Sequence, residues 1–216
     1  MKPFISSAST TLPQDSTGKK PNSMRGFQIT ETAGAAARVK LRNRSIAKPG
    51  ACVGAENVAA GAITVGDHIF KLTSVTAQGE TEAGSVSNTV AAAGARKIDL
   101  TSIPVYSGEG ADLVTGRNIY MTEAGGATYY KVDSGAATVP TIADNTTTTL
   151  TVSLSDATLA GYVAAPSENT SGVLVADVRL ASTQTYEQNF SEPVSAYLLR
   201  AEIVSGTAPQ TIIYGE

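Results

Sequence analysis

Residues 118–132 read N-I-Y-M-T-E-A-G-G-A-T-Y-Y-K-V, and residues 142–149 follow with I-A-D-N-T-T-T-T. Two β-rich runs flank Ala124-Gly125-Gly126-Ala127, and a Gly-Gly pair can take the positive φ values that a tight hairpin needs. Asp144-Asn145 leads into Thr146–Thr149, whose branched Cβ favours an extended chain over a helix. The stretch predicts paired strands, and the rest of the chain agrees with it. The 20 glycines and only 16% charged residues fit many short strands joined by turns. With no Trp and four Phe, the cores must be built from Val, Ile, Leu, Ala and Tyr.

The 216 residues suffice for one large or two small domains. A single cysteine, Cys52, excludes an internal disulfide and reads as a small buried apolar residue. No apolar run approaches the roughly 20 residues of a membrane span. The start, M-K-P-F-I-S-S-A-S-T-T-L-P-Q-D, has no continuous apolar segment, so no secretory leader is expected. The net charge of −3 hides an asymmetry. Residues 1–50 hold nine Lys+Arg against two Asp+Glu, and the remainder is acidic. Such polarity suits an oriented attachment, basic end against an acidic surface.

Residues 1–24 are polar, without sustained period, and read as an extended arm with Phe4, Ile5 and Leu12 as sparse apolar anchors. In A-R-V-K-L-R-N-R (37–44), Val39 and Leu41 point one way and Arg38, Lys40, Arg42 and Arg44 the other. Four like charges on one face repel, so acidic groups on the next strand or a partner should lie opposite. Lys48-Pro49-Gly50 breaks this pattern. Short strands then run to Ala165-Pro166, with a helical turn expected at Asp156–Leu159, capped by Ser155 or Asp156.

After Pro166 four more strands are expected: G-V-L-V-A-D-V-R-L-A, T-Y-E-Q-N-F, V-S-A-Y-L-L-R-A-E-I-V and T-I-I-Y-G-E. Two strands before the middle segment cannot close a core, and four after it close one poorly. Residues 25–53 and 167–216 are therefore expected to form one discontinuous β-sandwich, with a second β-sandwich inserted at 54–166.

The chemistry-bearing residues are sparse. The one histidine, His68, sits mid-strand, far from Cys52, and no Ser/His/Asp or Cys/His apparatus can be assembled. H-E-x-x-H, C-x-x-C, Walker A and G-x-G-x-x-G are absent. Glu80 with Glu82, and Glu109 with Asp112, are carboxylate pairs on loops, but nothing marks the raised-pKa acid in a cleft that a glycosidase needs. Asp144-Asn145 lacks the regular Asp spacing of a calcium loop and reads as a turn cap. The basic stripe has no interleaved aromatics for base stacking. No enzyme, cofactor, metal or nucleic-acid partner is expected.

The middle segment resembles the fibronectin type III-like, immunoglobulin-like domains of bacteriophage virion proteins. The residues that carry this are H-I-F-K-L-T-S-V-T-A-Q-G-E-T-E-A-G (68–84), R-N-I-Y-M-T-E-A-G-G-A-T-Y-Y-K-V (117–132) and I-A-D-N-T-T-T-T (142–149), about half the chain. It departs from the vertebrate pattern in lacking the core tryptophan and an R-G-D loop. The flanking halves, through 25–43, 174–181 and 196–207, are similar to β-sandwich accessory proteins encoded near phage capsid genes.

The resemblance implies an all-β, non-enzymatic virion component, made in a host cytoplasm and docked on the capsid as a decoration or cement protein. Its partners would be the major capsid protein and neighbouring copies of itself, as a homo-oligomer of trimer type. Docking would fall to Phe4, Ile5, Leu12, Arg38, Lys40, Arg42 and Arg44. The turns bearing Gln78, Gly79, Glu80, Glu82, Gly125 and Gly126 would form the distal tip. Two rivals differ in kind: a neck, collar or tail component, and a host-surface glycan-binding module using Tyr120, Tyr129 and Tyr130.

Overall fold

A computed structural model describes residues 2–6, 10–11, 23–30, 36–108, 110–133, 140–180, 185–195, 200–205 and 210–215. In chain order the strands are β1 (Lys2–Ser6), β2 (Thr10–Thr11), β3 (Ser23–Thr30), β4 (Ala37–Asn43), β5 (Val53–Asn57), β6 (Gly66–His68), β7 (Phe70–Val75) and β8 (Val90–Ala92). They continue as β9 (Lys97–Thr101), β10 (Gly116–Thr122), β11 (Tyr129–Lys131), β12 (Leu150–Val152), β13 (Val173–Leu180), β14 (Thr185–Ser195), β15 (Arg200–Ser205) and β16 (Gln210–Gly215). A single helical turn, α1 (Asp156–Leu159), follows β12, and the Ser155 hydroxyl caps it by accepting from Thr158 N. The chain is all-β, in small antiparallel sheets.

The chain divides into two compact units, Met1–Ser45 with Gly172–Glu216, and Ile46–Ser171. The first is the terminal unit. It has two four-stranded sheets, in the orders β1-β16-β3-β14 and β13-β4-β15-β2. Each joins strands from the two ends of the sequence, as Lys2↔Gly215 and Val39↔Val178 illustrate. Phe27 and Ile29 of one sheet and Val39, Leu41, Val178 and Leu180 of the other are buried. Within the segment expected as an extended arm, Lys2–Ser6 pairs with β16 and Thr10–Thr11 with β15 of the same chain. Unpaired main-chain groups on extended segments are satisfied most readily by a neighbouring strand. The second C-terminal strand also runs further than its sequence suggests. Val194 and Ser195 join β14 through a register shift after Asn189 instead of opening the next strand.

The inserted unit carries sheets β11-β10-β7 and β12-β9-β5 and the two-stranded pair β6-β8. Phe70, Leu72, Ile119 and Met121 from the first sheet share one core with Ile98, Leu100 and Val152 from the second. The unit begins earlier and ends later than the expected 54–166. Ile46 N donates to Ser171 Oγ at 3.1 Å, and Asn169 Nδ2 donates to Ile46 O at 2.9 Å, so the two ends are tied together. Cys52 lies in its core and β5 pairs with β9.

The opening stretch folds partly as expected. β10 and β11 form a hairpin, but Thr122 pairs with Tyr129, so residues 123–128 make a longer connection than a Gly-Gly turn. Only Gly125 there has positive φ, +66°. The threonine run is not a strand. Asp144 draws Thr146 and Thr147 into a turn, with Thr147 N at 2.7 Å and Thr147 Oγ1 at 2.7 Å. Local side-chain-to-backbone bonds override the β preference of the branched residues.

Candidate functional site

β4 is an interior strand of its sheet, between β13 and β15. Both of its edges are therefore paired, and two of its four basic side chains are buried. Lys40 and Arg42 are 6% and 8% exposed, and Arg42 Nη1 donates to Gly172 O. Arg38 grips Asp177 of β13 through two bonds, Nε to Oδ1 at 2.9 Å and Nη2 to Oδ2 at 2.6 Å. By register Asp177 stands opposite Lys40. The bond from Arg38 is the main reason the Asp177 carboxyl is held below its ordinary value; Lys40 and Arg179 add to it. The stripe expected for docking is thus compensated within the sheet, and of its four cations only Arg44 is exposed. Arg44 sits just before the join at 45/46 with φ of +57°. Phe4 and Ile5 lie on β1 at a sheet edge. Leu12 lies outside the described residues.

The two turns expected at the distal tip sit at opposite ends of one sheet. β7 and β10 run antiparallel, Val75 pairing with Gly116 and Phe70 with Met121. The turn after Val75 carries Gln78, Gly79 and Glu80. It packs on the residues that leave the unit: Thr170 N donates to Glu80 O at 2.7 Å, and Thr76 Oγ1 to Ser171 O at 2.6 Å. This turn is therefore at the entry and exit end of the inserted unit. The turn bearing Gly125 and Gly126 is at the other end, with Gly125 exposed and nothing within 4 Å of where its Cβ would be.

Glu80 is the centre of a polar cluster on the inserted unit. Tyr120 OH donates to its Oε1 at 2.6 Å and Asn118 Nδ2 at 2.9 Å, and Thr73 Oγ1 donates to the same oxygen. Thr73, Asn118 and Tyr120 share the face of the β7–β10 pair opposite to Leu72, Ile119 and Met121. All three are buried. Burial, with the Glu80 charge beside it, pushes the Tyr120 phenol up. Beside Glu80 opens a cleft of about 400 Å³ bounded by Val75, Gln78, Asn118, Pro140 and Thr170. Glu82 instead faces Lys48 at 3.9 Å, so the two carboxylates of this turn have different partners. Glu109, the member of the other carboxylate pair, lies outside the described residues.

At the opposite end His68 is fully buried. Its Nδ1 lies 2.9 Å from Thr122 O and its Nε2 2.9 Å from Thr64 O. Both ring nitrogens thus lie within hydrogen-bond distance of main-chain carbonyls, one before β6 and one at the end of β10. Gly125 N donates to Asp67 O, and Ala124 N to Asp156 Oδ2, fastening the exposed turn to the same frame.

Sequence reasoning missed Arg117, which is fully buried. It donates to Pro104 O at 2.8 Å, Thr147 O at 2.6 Å and Asp144 O at 3.2 Å, and lies 3.3 Å from Asp144 Oδ1. Burial lowers the guanidinium from its usual value, against the pull of Asp144. The amides and hydroxyls of Thr147 and Thr146 hold the Asp144 carboxyl well below the carboxylate range. Asn145 brackets Tyr106, accepting from its N and donating to its O. The Asp-Asn pair is a turn cap. The only sequence cue to Arg117 was a charged residue at the head of an apolar strand.

Burial pushes the Cys52 thiol up to about 11. Of the three tyrosines that could stack on a sugar, Tyr120 is buried and Lys71 Nζ sits 4.5 Å over the Tyr129 ring. Among the described residues no three or more His, Cys, Asp or Glu gather as metal ligands would, and no helix is long and apolar enough to cross a membrane. No family model, curated protein or solved structure matches the chain.

Proposed function

We propose that the chain is a non-enzymatic structural component of a bacteriophage particle. In this reading the terminal unit docks on the capsid as a decoration or cement protein, and the inserted unit is an immunoglobulin-like module presented outward. The observation that carries it is the discontinuous build. The terminal unit is closed by pairing across the insertion, and the inserted unit has its own core and tied ends. Such a build suits one unit for anchoring and one for presentation. The resemblance of residues 68–84, 117–132 and 142–149 to phage virion domains supports the same reading.

Docking is assigned to groups that the fold leaves accessible. Arg44 and Arg179 are exposed cations of the terminal unit, and β1 is an edge strand whose outer main-chain groups can pair with a strand of a shell subunit. The unit as a whole has ten Lys+Arg to seven Asp+Glu, against six to twelve in the inserted unit. The basic unit would therefore face an acidic shell.

The test is co-sedimentation of the full chain with emptied capsids of the phage that encodes it, followed by electron microscopy. Saturable density over the whole shell, weakened in Arg44→Glu/Arg179→Glu, is the expected result. Density confined to a single ring at the neck would assign a connector role instead. Absence of binding to any part of the particle would overturn the reading.

A further inference from the structure

We propose that the cleft beside Glu80 is a binding site for a primary ammonium group, of the kind a lysine side chain carries. Three donors, from Thr73, Asn118 and Tyr120, converge on Glu80 Oε1. Oε2 accepts from none of the described residues, and Glu80 is half-buried and lines the cleft. No cation pairs with Glu80 among the described residues, which leaves a carboxylate fixed in place with one oxygen free.

Three of the neighbouring polar side chains already have partners. Thr170 Oγ1 donates to Glu80 O, and Thr76 Oγ1 to Ser171 O. Asn118 spends its amide on Glu80 and its carbonyl on Thr141 N. The cleft thus offers a charged acceptor and few hydroxyl donors. A sugar hydroxyl wants both, whereas a cation wants the acceptor alone. With Oε1 already loaded, the carboxylate cannot take a guanidinium through two parallel bonds. A compact ammonium needs one oxygen, so it fits better than arginine. The acidic balance of the inserted unit adds long-range attraction. The cleft would serve this role whether or not the chain belongs to a particle.

The test uses the full chain in 15N amide-correlation NMR, titrated separately with n-butylammonium chloride, n-butanol and sodium chloride. Saturable shifts at Gly79, Glu80, Asn118 and Thr170 with butylammonium, absent with the alcohol and with matched salt, are expected. In Glu80→Gln, which keeps the shape and turns an amide toward the cleft, the apparent affinity should fall about tenfold or more, as loss of a charge-assisted hydrogen bond implies. Equal shifts with butanol or salt, or an unchanged affinity in Glu80→Gln, would overturn the site. The wild-type comparison stands by itself if the variant does not fold. Nα-acetyl-lysine methylamide distinguishes the sources: binding tighter than butylammonium assigns a protein side chain, and weaker binding a free amine.

Discussion

Arg117 shows how a polar side chain can serve as a keystone in a core of small residues. Its guanidinium joins three main-chain carbonyls and one carboxylate from the loops around Pro104 and Asp144–Thr147. Truncation would leave a cavity and unpaired carbonyls. Arg117→Ala should therefore destabilise the inserted unit by about 3 kcal/mol, measured by urea unfolding. Asp177 reports on the terminal unit. Its folded pKa is depressed, chiefly by Arg38, so the pair stabilises fully above the unfolded value of about 4 and loses that contribution as pH falls through the folded value. Asp177→Asn should cost about 1 kcal/mol or less near pH 7. The gap between wild type and variant should close in unfolding curves taken progressively below pH 4. Little of this was legible in the sequence. Burial of an arginine depends on loops distant in sequence, which periodicity does not record.

At the scale of elements, the alternation in A-R-V-K-L-R-N correctly marks a strand with an apolar face, since Val39 and Leu41 are buried. What it does not encode is whether the strand is interior or at an edge. That depends on β13 and β15 arriving from 130 or more residues away, and Asp177 of β13 then compensates part of the basic stripe. The two glycine turns differ for a related reason, because glycine marks a turn but not what packs on it. Gly79, with φ of +155°, would put a Cβ 2.6 Å from Thr170 O, whereas Gly125, with φ of +66°, has open space. Gly79→Ala should cost about 2–3 kcal/mol and broaden the Thr170 amide resonance. Gly125→Ala should cost about 1 kcal/mol, from backbone strain alone. Equal thermal shifts for the two would contradict this contrast.

At the scale of the whole molecule, the inserted unit should stand alone. Its ends are held by Ile46, Asn169 and Ser171, so a fragment of residues 46–171 is expected to give a dispersed amide spectrum and cooperative unfolding. A collapsed spectrum would show that the terminal unit is needed. The pairing of Lys2 with Gly215 has a mechanical consequence. Tension applied across these two residues peels β1 from β16 one rung at a time, the weakest way to load an antiparallel pair. The inserted unit feels no load until the strands holding Ser45 and Gly172 have parted. Stretched in optical tweezers, the molecule should lengthen in an obligatory order, the terminal unit yielding first at low force and the inserted unit second at higher force. The terminal unit would act as a mechanical fuse that shields the inserted one.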